Sequence, residues 1–401
     1  MNIFIIPSWY PSSSVPLSGI FTYEQVRAMA EIRPDSNIIV SLWGHDNAYV
    51  CARDIISFKF LKIFKWLLLS PPTLFTNKNL TEIHTPCLTW SPRLPDGFNN
   101  RLLEINRRNL KKALNLYGQI DIIHAHVSYP GGYIAARLAE EFKIPFVITE
   151  HMSPFPFPMY LDNNRPNKRL DYALSHAKKI ITVSPSLEKK INSFGYKNTH
   201  VIPNLVDDSR FGLGDSHSKR SKIRFFTLCG ISDQKGIDIL LSAIHYLTPD
   251  SQQVEFVIGG DGEKLKEYQL LASKLGISHL VTWLGAVSRD LAPQLFRDSD
   301  VFVLPSRHET FGIVYAEALA SGKPIIATRC GGPEFIVNEL NGLLVDVGDI
   351  ESLSYALQNM IETHLDYNAQ AIRDDFQNRF SKKAVVNNIF DVYEALLNKK
   401  D

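Results

Sequence analysis

Two carboxylates, Glu309 and Glu317, stand with seven residues between them in the string Val301 to Thr328, Val-Phe-Val-Leu-Pro-Ser-Arg-His-Glu-Thr-Phe-Gly-Ile-Val-Tyr-Ala-Glu-Ala-Leu-Ala-Ser-Gly-Lys-Pro-Ile-Ile-Ala-Thr. Paired carboxylates can hold the hydroxyls of a polar ligand, provided both face one pocket. Eight steps along a single helix would leave them about 80° apart. Glu309 precedes the expected helix, which lifts that constraint. An isolated Glu in either setting is ordinarily solvated. Ala316, Ala318, Leu319 and Ala320, however, put Glu317 in a mostly apolar helix, where a carboxylate needs a partner.

Three further groups could act beside them. Lys235-Gly236 opens an expected helix from Ile237 to Tyr246. A cation there suits a diphosphate, although a lone Lys is more often a solvated surface group. His151 follows the apolar run Pro145 to Glu150, at a strand's carboxyl end. A single loop His is more often structural. His124 and His126, on or just after a strand, read as core or as support. Gly259-Gly260-Asp261-Gly262 follows a strand, but as a dinucleotide fingerprint it lacks the third glycine. Asp298-Ser299-Asp300 has the look of a metal motif; it ends a helix just before a strand and reads as capping.

The elements that must position these groups alternate. Val301 to Leu304 suits a buried parallel strand. Gly312 to Ala320 reads as a helix ended by Gly322, with Pro324 beyond. In the first half, strands are expected at Asn2 to Pro7, Asn37 to Trp43, Asp121 to His126, Pro145 to Glu150, Ile180 to Ser184 and His200 to Pro203. Helices fall between them. In the second half, strands are expected at Ile223 to Leu228, Val254 to Gly259, Val281 to Leu284, Val301 to Leu304, Pro324 to Ala327 and Leu343 to Val345, and helices at Asp349 to Thr363 and Lys382 to Lys399. Such alternation implies parallel sheets, whose strand ends bind ligands and whose helix N-termini favour anions. The segment from about 44 to 98 breaks the rhythm. The Gly- and Ser-rich stretch Asp207 to Lys222 reads as a linker.

The whole string around the two Glu resembles the signature of the retaining family 4 glycosyltransferases. Glu309-Thr310-Phe311-Gly312 and Glu317 followed by Ala320-Ser321-Gly322-Lys323-Pro324-Ile325 match it closely. The opening Pro-Ser-Trp-Tyr-Pro with Ser-Gly-Ile-Phe resembles the first loop of bacterial polysaccharide members. The resemblance implies an α/β chain of GT-B fold, with two Rossmann-like domains facing across a cleft. Residues 1–205 would form an acceptor-binding domain with an insertion at about 44–98. Residues 206–380 would form the nucleotide-sugar domain, and residues 381–401 a helix packing back on the first.

The implied reaction moves a hexosyl group from a UDP- or GDP-linked sugar to a saccharide acceptor hydroxyl. The acceptor would be a lipid-linked or surface polysaccharide intermediate (O-antigen, capsule or exopolysaccharide). His151, Glu309 and Lys235 would be catalytic. The donor would be held by Gly19, Asn204, Gly230, Lys235, Gly260, Glu309, Phe311, Gly312, Ile313, Val314 and Glu317, with no metal and no cofactor. The family carries an Arg where this chain has Gly230, a departure that Arg307 or Arg329 is expected to offset. Leu205 replaces a family Gly beside Asn204. Two other readings stay open: a GT-B nucleotide-sugar epimerase, or a non-catalytic nucleotide-sugar-binding subunit.

At 401 residues the chain has length for two domains. It is 45% hydrophobic and 21% charged with net charge +1, an ordinary globular composition whose balance gives no argument for nucleic acid. The four cysteines, Cys51, Cys87, Cys229 and Cys330, have no metal or redox spacing and suggest a reduced, cytoplasmic protein. Met1 to Ile6 is too short and lacks the basic leader of a signal peptide. Lys59, Lys62 and Lys65, with Phe60, Ile63, Phe64 and Leu67, pattern a basic amphipathic helix ended by Pro71-Pro72. That predicts peripheral attachment to the inner leaflet through residues around 55–75, against a buried helix with solvated lysines.

Overall fold

A computed structural model describes residues 1–12, 15–43, 73–87, 97–214, 222–247 and 253–398. The chain divides into two compact units. Unit 1 holds Met1–Val183, Glu188–Ile202 and Val386–Asp401; unit 2 holds Ser184–Leu187 and Pro203–Val385.

Unit 1 is built on β1 (Asn2–Pro7), α1 (Ile20–Ile32), β2 (Asn37–Trp43), β3 (Thr73–Asn77), β4 (Leu80–Thr85), α2 (Gly97–Tyr117), β5 (Ile122–His126), α3 (Tyr133–Phe142), β6 (Phe146–Glu150), the two-residue strands β7 (Leu161–Asp162) and β8 (Arg165–Pro166), α4 (Lys168–His176), β9 (Lys179–Thr182), α5 (Pro185–Ser193) and β10 (Thr199–Val201). The main sheet runs β10-β9-β6-β5-β1-β2-β4-β3. Its central strands are near-continuous apolar runs buried along their length, as parallel strands covered on both faces must be. The order reverses between β1 and β5. The loops leaving those two strands therefore flank the crevice where open α/β sheets bind ligands.

The segment expected to break the rhythm does so only in part. β4 pairs in parallel with β2, Ile38 opposite Leu80, and β3 returns antiparallel to β4, Thr73 opposite His84. The short Leu-Thr-Glu-Ile-His-Thr alternation of β4 satisfies the free edge of β2. Asn79, in the turn between β3 and β4, donates from Nδ2 to the carbonyls of Ala30, Arg33 and Ser36 and so caps the end of α1. The basic helix read up to Pro71-Pro72 lies outside the described residues; of the attachment segment 55–75 only Thr73–Phe75 are described, and they open β3.

Unit 2 contains β11 (Ile223–Leu228), α6 (Ile237–Leu247), β12 (Val254–Gly259), α7 (Leu265–Lys274), β13 (Val281–Gly285), α8 (Ala292–Arg297), β14 (Val301–Leu304), α9 (Ile313–Ala320), β15 (Ile325–Thr328), α10 (Pro333–Ile336), β16 (Gly342–Val345), α11 (Ile350–Thr363) and α12 (Ala369–Phe380). Its parallel sheet runs β13-β12-β11-β14-β15-β16, so the order reverses between β11 and β14. The core beneath is aromatic: Phe226, Phe296, Phe302 and Tyr315 are fully buried and meet ring to ring. Each such ring stabilises the fold by about 1.5–3 kcal/mol through burial alone.

The last helix, α13 (Lys382–Leu397), begins in unit 2 and continues into unit 1. In unit 1 its Phe390 lies under the Arg33 guanidinium, 4.1 Å from centroid to carbon, and its buried Tyr393 hydroxyl bonds His124 Nδ1. No helix among the described residues is long and apolar enough to cross a membrane.

Candidate active site

In unit 2 the loops after β11 and β14 interlock. Gln234 donates from Nε2 to the His308 carbonyl at 2.8 Å, and the Arg307 amide donates to the Gln234 carbonyl at 2.7 Å. Gly236 makes the approach feasible. It sits at φ 66, and a Cβ there would stand 2.0 Å from the Pro305 carbonyl oxygen, so no other residue fits. This packing brings Lys235 Nζ to 2.7 Å from Glu309 Oε1. Ser306 Oγ donates to the same oxygen at 2.9 Å. The Glu309 side chain is 9% exposed and that of Lys235 21%, so the pair is shielded yet reachable.

Further bonds hold the carboxylate still. Thr328, at the end of β15, donates from Oγ1 to the Ser306 carbonyl. Tyr315 donates to the Leu304 carbonyl at 2.8 Å and pins α9 to the end of β14. The Gly332 amide donates to the Glu309 carbonyl at 2.7 Å. Gly312, in the left-handed conformation, caps α9, so the first-turn amides of Ile313 and Val314 emerge just beyond Phe311, which is buried. Glu317 is half-buried on α9. Gly260 donates its amide to the Gly285 carbonyl at 2.7 Å, and the loop carrying it packs on Cys229, next to Gly230. Burial pushes the Cys229 thiol up to about 12, so it is no nucleophile at neutral pH. Asn204 is buried where the chain enters unit 2.

The expected substitutes for an Arg at position 230 are otherwise engaged. Arg307 makes a two-pronged contact with Asp238, 2.9 and 2.6 Å, and donates to the Asp233 carbonyl at 2.5 Å. Arg329 reaches Asp346 at 3.3 Å and the Leu344 carbonyl at 2.9 Å. Each thus has an acidic partner within its own unit, Arg307–Asp238 half-exposed and Arg329–Asp346 more exposed still. Around Gly230 itself there is open space. Asp298 terminates α8, and Asp300 accepts from the Arg224 amide at 2.8 Å, a capping and bracing role.

In unit 1 the loops after β1, β5 and β6 interlock by different means. Ser8 donates its amide to the His126 carbonyl and Oγ to the Val127 carbonyl, and accepts from the Gly131 amide at 2.9 Å. Val127 holds φ 70, a costly conformation for a β-branched residue. Glu150 braces this turn. It is fully buried and accepts from the Ser128 amide and hydroxyl on one oxygen and from the His151 and Met152 amides on the other. Burial pushes its carboxyl up, and those four donors pull it back. Gly19, at φ 63, starts α1 against the Trp9 carbonyl, which a Cβ would meet at 2.1 Å.

His151 is stacked on Phe21 at 4.1 Å and bonded through Nε2 to His126 Nδ1 at 3.1 Å. Burial drops His126 to about 3, so it is neutral. The Gln25 amide nitrogen, which can only donate, meets His126 Nε2 at 3.4 Å. His124, lowered well below its usual value by burial, bonds Thr149 and Tyr393.

Each unit thus gathers part of the expected set. Lys235, Glu309, Gly230, Gly260, Phe311, Gly312, Ile313, Val314, Glu317 and Asn204 belong to unit 2; Gly19 and His151 belong to unit 1. Sequence reasoning missed Ser306, Gln234 and Gln25. Ser306 was readable from its place three residues before Glu309. The roles of Gln234 and Gln25 rest on partners far along the chain.

Two α/β units with parallel sheets define the GT-B architecture. The Anabaena protein HepE, solved in complex with UDP, has the same fold at a TM-score of 0.67, 18% identity and coverage of 98% of this chain and 99% of that one. Residues 215–384 match the family "Glycosyl transferases group 1" and residues 70–210 match "Glycosyltransferase Family 4". An uncharacterised glycosyltransferase of Methanocaldococcus jannaschii is 30% identical over 339 residues, spanning 80% of this chain and 92% of the relative. A Bacillus subtilis glycosyltransferase assigned to teichuronic acid biosynthesis is 28% identical over 369 residues, spanning 89% and 88%. The chain belongs to the family 4 glycosyltransferases of GT-B fold.

Proposed function

We propose that the enzyme transfers a hexosyl group from a nucleotide-diphosphate sugar to a hydroxyl of a saccharide acceptor, with retention of anomeric configuration and without a metal ion. The observation that carries this reading is the Lys235–Glu309 pair. It stands at the reversal point of the unit 2 sheet, beside the amide-rich start of α9. The donor is assigned to unit 2. Lys235 and the amides of Gly312 and Ile313 face the leaving diphosphate. Glu309 holds hydroxyls of the transferred sugar and Glu317 those of the ribose.

In the reaction the bond from the anomeric carbon to the diphosphate oxygen breaks. A bond from that carbon to the acceptor oxygen forms on the same face. The acceptor's proton passes to the departing phosphate oxygen, so no protein nucleophile is used. His151, held against Phe21 and His126, meets the transferred sugar. A UDP-linked donor is favoured by the UDP-bound relative, and a cell-surface polysaccharide acceptor, carried on a lipid, by the teichuronic acid relative.

A thermal-shift panel of UDP, GDP, ADP and their sugars tests donor binding, and NMR of the product reads its anomeric configuration. Stabilisation by one nucleotide, slow donor hydrolysis and a product of unchanged configuration are expected. Binding without hydrolysis or transfer would identify a non-catalytic subunit instead.

A further inference from the structure

We propose that unit 1 carries a track for an oligosaccharide several sugars long, formed by a row of aromatic rings that starts beside His151; this rests on the reading of unit 1 as the acceptor unit. Trp9 follows β1, Tyr129 and Tyr133 follow β5, and Phe157 and Tyr160 follow β6, so three neighbouring strand ends each supply rings. Tyr172 of α4 extends the row. Successive centroids are spaced 6.1 Å from Trp9 to Phe157, 6.0 Å to Tyr160, 5.0 Å to Tyr129, 6.4 Å to Tyr133 and 5.9 Å to Tyr172. At the near end Trp9 touches Phe21, at 6.3 Å, and Phe21 stacks on His151.

These rings differ from the core rings of unit 2. Phe226 and Phe302 are fully buried, whereas all six in the row are half-buried. A row of half-buried rings packed in tilted and edge-to-face contacts offers a rigid, amphipathic contact at low entropic cost. Polar groups stand along it. Arg137 donates to the Tyr133 hydroxyl at 3.2 Å, Tyr172 donates to Glu140 at 2.6 Å, and the Tyr129 hydroxyl and the Asn99 amide are hydrogen-bonded at 2.8 Å.

The combination selects the occupant. A pyranose has an apolar C–H face and a hydroxyl rim, which match a ring and the polar groups at its tip. Acyl chains laid on the same surface would strip water from Glu140 and Arg137 and give nothing in return. Continuity with His151 sets the direction, with the accepting end of the saccharide at Trp9 and the rest running toward Tyr172. One sugar would occupy a fraction of the row, so the ligand is an oligomer.

The test uses the full chain on an array of bacterial surface-polysaccharide fragments, graded from monosaccharide to octasaccharide. Retention is expected to rise with fragment length, and the Tyr129→Ala/Tyr133→Ala pair is expected to weaken it about tenfold for the long fragments. Tyr172→Ala, on the outer helix, removes one ring without touching the strand-end turns. It should weaken only the longest fragments. Tyr133→Phe and Tyr172→Phe keep the rings and should keep most of the retention. Flat length dependence, or equal retention by the Ala variants, overturns the track. So does loss of binding to phosphatidylglycerol vesicles in place of glycans, which would make the surface lipid-facing. The UDP, GDP and ADP thermal-shift panel run on the same preparations separates the two readings. A normal shift without glycan retention sinks the track alone, and glycan retention without any nucleotide shift sinks the transferase assignment.

Discussion

The crevice of unit 2 and that of unit 1 occupy the same topological position and are finished in opposite materials. Both lie where the strand order of a parallel sheet reverses, between β11 and β14 in one and between β1 and β5 in the other. Unit 2 places charge there: a shielded Lys235–Glu309 pair, a Ser, and the opening amides of a helix. Unit 1 places neutral imidazoles and aromatic rings. The sheet dictates where a ligand goes. The loop side chains dictate whether the crevice is charged or apolar. In unit 2 the Glu309 carboxylate fixes the Lys235 ammonium; in unit 1 the rings are fixed by packing on one another.

Acid should separate the units most. His126 has an ordinary value of 6.5 and a folded value of about 3, and His124 is lowered well below 6.5. Unfolding lets both take up protons, so unit 1 loses stability as pH falls below 6.5. Glu150, raised by burial, offsets part of this below the usual carboxylate range. Unit 2 has lowered carboxylates at Asp207 and Asp238, with an ordinary value of 3.8, and their contribution is lost only below that. Hydrogen exchange at pH 7 and pH 5 should show unit 1 peptides opening more easily at the lower pH while those of unit 2 hold. Equal responses would mean that the imidazoles are not held neutral.

Next in size is the charged crevice. Lys235→Ala and Glu309→Gln should each lower turnover on the order of a hundredfold while leaving thermal unfolding nearly unchanged, the scale of losing one preorganised charge contact. Near-normal kinetics in both would remove the charge from the mechanism. A smaller effect is expected at Arg307. Arg307→Ala breaks a half-exposed pair with Asp238, worth about 0–1 kcal/mol, and should change turnover by no more than about threefold. A much larger fall, rescued by Lys, would give Arg307 a part in diphosphate binding. The smallest effect expected is none: EDTA should leave transfer unchanged, and loss restored by Mg²⁺ or Mn²⁺ would overturn the metal-independent reading.

What was legible in the sequence follows the distance over which each interaction acts. The Glu309 to Glu317 string, the capping Gly312 and the strand before them are local, and the alternation of apolar runs dictated two parallel sheets. Contacts made across the sheet were not legible. Lys235 and Glu309 meet only because β11 and β14 are neighbours, and Arg307 could be taken for a phosphate ligand only while Asp238 was out of sight. The β3–β4 pair escaped notice because six alternating residues carry a weak signal beside a long aromatic stretch. The His126–His151 contact was equally hidden, since β5 and β6 are brought together by the fold.

Tyr393 has a consequence in time as well as in space. Its hydroxyl fills the partner position of His124 in the middle of the unit 1 sheet, yet it is translated after the whole of unit 2. At a ribosomal rate of about 5–20 residues per second, the roughly two hundred intervening residues impose a wait of about 10–40 seconds. During that interval the nascent unit 1 lacks α13. A chain that stalls inside unit 2 therefore leaves behind an N-terminal unit with an open seam, which chaperones and proteases can recognise as unfinished.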